Sequence, residues 1–188
     1  MVCEIEVDNL SRRGEEICEM LRPLTGKSRL AYDPVSRRSE ILIAVRSGPK
    51  LDLSPTEWRF TTFVRGVRGA YYERWVPADQ KRKRYGLERA YLHLYLRDRD
   101  EDSEREFLAL HCDPNEPDDT GSQRHAVYKR GPHIHVTAAQ QPLPHSHFAL
   151  NRSHLSDVLA SVANLSAAVQ SGVVMIRDQV LDILEANG

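Results

Sequence analysis

Between Ser11 and Leu24, the residues Ile17, Met20, Leu21 and Leu24 recur at spacings of three and four, the period of one helical face. Ser11 is placed to cap that helix and Pro23-Leu24-Thr25-Gly26 to stop it. Two short β-prone runs follow, Arg29 to Tyr32 and Glu40 to Val45, and Asp33-Pro34-Val35-Ser36 between them has the composition of a hairpin turn. Trp58 to Val64 alternates large and polar residues. The run after Gly66 and Gly69, with Val67, Ala70, Tyr71, Tyr72 and Trp75, reads as strand.

The clearest strand covers Glu88 to Arg97, where Leu92, Leu94 and Leu96 fall on one face and Tyr91, His93 and Tyr95 on the other. An acidic run from Asp98 to Glu106 suits a solvated hairpin tip, and Phe107 to Cys112 then pairs back onto that strand. Asp113 to Gly121 is rich in Asp, Pro, Asn and Gly and reads as a loop. From Ser153 onward the pattern is helical: Leu155, Val158, Leu159 and Val162, then Leu165, Val169, Val173, Ile176, Val180 and Leu184 keep core spacing. Asn164, Ser166 and Gly172 are the candidate breaks.

A helix, a meander of antiparallel strands and a long helical tail make an α+β plan: one sheet face is covered by the N-terminal helix and the C-terminal helices, and the other is available for a site. The length of 188 residues fits a single domain, 1–188, with no internal repeat and no linker.

Composition narrows the class. Hydrophobic residues make up 40% and charged residues 28%, which excludes wholesale disorder. No apolar run is long enough for a membrane span, and Met1 to Val7 does not have the layout of a signal peptide. Cys3, Cys18 and Cys112 are odd in number and lack a Cys-x-x-Cys pair, so neither a disulfide framework nor a zinc ribbon is expected, and a reducing cytoplasm is the expected setting. The net charge of -1 supplies no global field toward nucleic acid, so any such binding rests on local clusters.

Seven of the eight histidines fall between His111 and His154. In His133-Ile134-His135-Val136-Thr137 a strand sends His133, His135 and Thr137 to one face and Ile134 and Val136 to the core. Pro144-His145-Ser146-His147-Phe148 repeats the arrangement, with Phe148 and Leu150 on the packing side. Neutral imidazoles titrate near pH 6.5, so such pairs suit two chemistries: general acid and base work on a ribose hydroxyl and a leaving oxygen, or the holding of a divalent metal ion. The candidate catalytic residues are His133, His135, His111 and Asp113, the last two placed to orient an imidazole or complete a metal shell. The candidate metal ligands are His133, His135, His145 and His147.

His133-Ile134-His135 has the His-hydrophobic-His form of the HUH endonucleases, but no tyrosine follows Tyr128 to act as their helix-borne nucleophile. His135-Val136-Thr137 supplies one half of a two-histidine phosphoesterase signature, with no second half. Residues 88–159 resemble the TumE-like components of prokaryotic toxin-antitoxin pairs. The resemblance lies in Tyr91-Leu92-His93-Leu94-Tyr95, then His111-Cys112-Asp113-Pro114-Asn115, then Pro132-His133-Ile134-His135 and a helical tail. The chain departs from that pattern in its longer N-terminal half, its Glu116 to Arg124 loop, its second Pro-His-x-His element and the absence of an Arg-Tyr-Asp-Asn run. The resemblance implies an RNA-directed toxin or a defence-associated relative.

Lys81, Arg82, Lys83 and Arg84 form a basic cluster expected on an exposed loop, close in sequence to Tyr71, Tyr72, Trp75 and Tyr85, and Lys129 and Arg130 lie beside the histidine strand. Phosphate contact together with base stacking uses such a mixture. The expected function is therefore a cytoplasmic, nuclease-like, RNA-directed nucleic-acid-processing protein, of a toxin-antitoxin or phage-defence system, built on a His-x-His strand. The alternative is a non-catalytic protein-binding subunit or adaptor of a larger prokaryotic complex, with the helical tail as its interface.

Overall fold

The computed structural model describes residues 3–37, 39–79, 83–97, 103–114, 129–137, 145–150 and 154–187, with residues 145–147 described by their backbone. The chain runs through β1 (Glu4–Glu6), α1 (Leu10–Thr25), β2 (Ala31–Arg37), β3 (Glu40–Arg46), β4 (Phe60–Thr61), β5 (Val67–Asp79), β6 (Arg84–Arg97), β7 (Glu104–Cys112), β8 (His133–Thr137) and β9 (His145–Ala149). The tail comprises α2 (Leu155–Val158), α3 (Val162–Ile176), a π-helical turn (Arg177–Leu181) and α4 (Asp182–Asn187). The architecture is α+β: one antiparallel sheet of nine strands with its helices on one side.

The sheet is a meander in the order β2-β3-β5-β6-β7-β8-β9, with β1 added beside the start of β6 and β4 beside the start of β5. Its helical face buries Ile43 and Val45 of β3, Tyr71 and Trp75 of β5, Leu92 and Leu94 of β6, Leu108 and Leu110 of β7 and Ile134 of β8. Ile17, Leu21 and Leu24 of α1 and Leu165, Val169, Val173 and Ile176 of α3 pack onto them. Each such aliphatic side chain contributes on the order of 1.5–3 kcal/mol on burial. Gly172 lies over Leu110, 3.0 Å from where a Cβ would sit, so a glycine in mid-helix lets α3 lie close on β7.

Several boundaries differ from the pattern read in the sequence. The first hairpin pairs as far as Arg37 with Glu40, and Asp33 to Ser36 belong to β2, paired with Ala44 through Ile41. Pro34 is tolerated because β2 is the sheet's edge and its missing N–H faces no further strand. Asn9, not Ser11, occupies the N-cap of α1, and Pro23 sits inside its last turn. The tail breaks before Asn164: Ser161 caps α3, its hydroxyl accepting from the Asn164 N–H at 3.1 Å. Glu104 and Glu106, expected in a hairpin tip, lie in β7. Phe148, expected to pack, is 57% exposed. Among the described residues no helix is long and apolar enough to cross a membrane.

Candidate metal centre

The face of the sheet away from the helices carries the histidines, and strand register explains how. Pairing runs Ala44 with Tyr72, Tyr72 with Tyr91, Tyr91 with His111 and His111 with His133, one continuous rung across β3, β5, β6, β7 and β8. The neighbouring rung runs Ala70, His93, Ala109, His135, and then His147 of β9. Because alternate residues share a face, His111 and Ala109 stand side by side on β7 opposite His133 and His135 on β8.

His111, His133 and His135 form a compact group. Their candidate ligand atoms lie within 4.8 Å of one another, against about 3.4 Å between nitrogens on a tetrahedral ion with metal–nitrogen bonds of about 2.05 Å. Small side-chain rotations close that difference. Ring centroids are 4.1 Å apart for His111 and His135, 4.8 Å for His133 and His135 and 5.9 Å for His111 and His133. His133 and His135 are buried, with 2% and 8% of their surface exposed, and His111 is half-buried.

Surrounding groups fix the rings. Nδ1 of His133 lies 2.9 Å from the Gly131 carbonyl oxygen, which has only acceptor capacity, so Nδ1–H donates and Nε2 carries the lone pair. His111 stacks on Tyr91 at 3.8 Å with 14° between planes, which holds its ring against rotation. Ala109, fully buried on the second rung between His93 and His135, contributes only a methyl beside the imidazoles.

Asp113 is buried just beyond the end of β7, and its N–H donates to the Lys129 carbonyl at 2.9 Å, while the Cys112 thiol reaches the Arg130 carbonyl at 3.1 Å. These two bonds tie the Lys129-Arg130 segment to β7 just ahead of β8. Tyr72 has its hydroxyl pKa raised, chiefly by burial, with Asp113 adding to the rise and Arg89 opposing it. Asp113 is not one of the three grouped ligands.

The remaining expected residues separate by position. His145 and His147 lie in β9, with His147 in register with His135 and His145 with Thr137; their side chains are outside the described residues. Lys81 and Arg82 also lie outside them. Lys83 is exposed in the turn before β6, and Arg84 pairs with Glu4 at 2.5 Å. Arg84 is nine positions from His93 along β6, about 30 Å of strand, so this part of the basic cluster serves a different region. Lys129 and Arg130 precede His133 by four and three positions.

His93 belongs to this face and was not among the residues singled out from the sequence. Its Nδ1 lies 2.7 Å from Glu106 Oε2, and its ring centroid is 4.9 Å from that of His111. Tyr95 completes the aromatic border, with the Arg59 guanidinium 4.1 Å from its ring centroid. The alternation in Tyr91-Leu92-His93-Leu94-Tyr95 was the available signal.

No protein-family model, curated protein or solved structure matches the chain.

Proposed function

We propose that the protein is a metal-dependent, nucleic-acid-processing enzyme, RNA-directed, in which His111, His133 and His135 hold a divalent transition-metal ion on the open face of the sheet. The observation that carries this reading is the group itself: three imidazoles from two paired strands, two of them buried, with their candidate ligand atoms within 4.8 Å. Three neutral ligands leave a divalent ion its full charge. An ion held by these three imidazoles would supply Lewis-acid chemistry: it would polarise a phosphoryl oxygen and lower the pKa of a water, so that water could displace the leaving oxygen from phosphorus, that oxygen taking up a proton.

The border of the site supports the substrate class. Tyr72, Tyr91 and Tyr95 line the same face, Tyr91 stacked on His111 and Tyr95 under Arg59, so Tyr72 is the ring proposed to meet a base, and aromatic rings bind bases without regard to sequence. The arginines of this face already hold carboxylates: Arg59 and Arg68 pair with Glu104 and Arg74 with Glu40 and Glu88. Lys129 and Arg130, just ahead of β8, are the proposed phosphate contacts beside the ion. The resemblance of residues 88–159 to TumE-like toxins points to RNA and to a cytoplasmic setting.

End-labelled RNA and single-stranded DNA incubated with the full chain and Mn²⁺, Fe²⁺, Co²⁺, Ni²⁺ or Zn²⁺ test the proposal. Cleavage of RNA by the wild type that disappears in a His133→Ala/His135→Ala variant is expected. Absence of wild-type cleavage with every ion contradicts it.

The alternative of a protein-binding subunit has one specific feature in its favour, the exposure of Phe148 and Val136 on the β8–β9 hairpin. In the helical tail Val173 and Ile176 are fully buried and Val180 packs against the core, while Val174 and Ile183 are exposed. Capture of a stable partner by wild type but not by Phe148→Ser, with the double histidine variant still fully active in cells, would favour that reading.

A further inference from the structure

His93 is separated from His135 across the sheet by a single alanine. The rung reads Ala70, His93, Ala109, His135, and both alanines are buried. No side chain larger than a methyl therefore stands between the two imidazoles on that rung. With strands about 4.8 Å apart, positions two strands away are separated by about 9.6 Å, a span that two imidazoles with an ion between them can bridge. The His93 ring already stands as close to His111 as the established pair stand to each other, 4.9 Å against 4.8 Å for His133 and His135.

The hydrogen bonding of His93 repeats that of His133. A carboxylate at Nδ1, Glu106 Oε2 at 2.7 Å, takes the place of the Gly131 carbonyl, so Nδ1–H donates and the far nitrogen, Nε2, carries the lone pair. Carboxylate–histidine pairs of this kind raise the basicity of the imidazole and fix its tautomer and orientation for a metal.

We infer that His93, braced by Glu106, is a fourth imidazole of the metal centre. The inference rests on the metal reading above and extends it by one ligand. Four imidazoles close a tetrahedral zinc site, but they leave two positions on a six-coordinate ion, one for water and one for a phosphoryl oxygen. The site is therefore built for a six-coordinate first-row ion such as Fe²⁺, Co²⁺ or Ni²⁺, with Glu106 as the outer partner that tunes it.

Co²⁺ is the probe, because its visible absorption reports coordination number. The full chain is titrated with Co²⁺ by calorimetry and absorption, alongside His93→Ala, Glu106→Gln, His133→Ala and His154→Ala. Expected are one Co²⁺ per wild-type chain with weak, six-coordinate bands, a loss of affinity of about tenfold or more in His93→Ala and Glu106→Gln, altered bands in His93→Ala, and no change in His154→Ala, whose ring is exposed ahead of α2. Wild-type affinity and spectrum in His93→Ala, with binding lost in His133→Ala, overturn the fourth ligand and leave the three-histidine centre standing. No Co²⁺ uptake by the wild type overturns both. Circular dichroism verifies folding, and His93→Phe, which keeps a ring in place, is read in the same way if the alanine variant does not fold.

Discussion

Glu73 is fully buried on the helical face of β5, yet its carboxylate is satisfied from several sides. Arg13 of α1 grips it with Nε at 3.0 Å and Nη2 at 2.6 Å, the Tyr71 hydroxyl donates at 2.8 Å and the Trp75 indole N–H at 3.0 Å. Arg13 also donates to the Ser166 hydroxyl of α3 at 2.7 Å, so one ion pair fastens both long helices to the sheet. Burial disfavours the Arg13 charge, but Glu73 more than offsets this and holds the guanidinium protonated. Removing one member leaves the other charge buried and uncompensated. Glu73→Ala is expected to lower stability by roughly 3–5 kcal/mol, read from the urea midpoint, whereas an apolar replacement of Arg13 and Glu73 together is expected to lose much less. Nothing in the sequence marked either residue, because their meeting depends on how a helix and a strand sixty positions apart are packed.

At the level of elements, the alternating patterns located β6 and β8 well, since a two-residue period is visible wherever one face is buried and the other is not. Boundaries were less legible. Asp33-Pro34-Val35-Ser36 has turn composition but lies in an edge strand, where a proline costs no ladder bond. The short β4 is held by a contact that spacing could not reveal: Phe60 pairs with Gly69, and a Cβ at Gly69 would fall on the Phe60 ring. Gly69→Ala is therefore expected to cost roughly 1–3 kcal/mol through overpacking. A chemical-denaturation midpoint equal to wild type would show that the ring shifts without cost.

Across the whole molecule, the site is a product of register. The sequence showed His133 and His135 sharing a face, and it marked His111 as a neighbour, but it could not place His93 beside them or show that Ala109 keeps the space between clear. Those facts depend on pairings between residues 16 to 26 positions apart, from His93–Ala109 to Ala109–His135. Conversely, the Lys81 to Arg84 cluster looked close to the chemistry because of its charge, and the length of β6 carries Lys83 and Arg84 away from it. The fold thus gathers imidazoles from adjacent strands on the face away from the helices, and the metal reading stands on the three of β7 and β8.

Equilibrium dialysis of the full-length chain against Fe²⁺, Co²⁺, Ni²⁺ and Zn²⁺ in turn, with the bound ion counted by ICP-MS, tests the centre most directly. The account expects close to one ion per chain for at least one of these metals, and its loss in a His111→Ala/His133→Ala/His135→Ala variant that remains folded. A wild-type chain that retains none of them, or a triple variant that retains as much as the wild type, would contradict it.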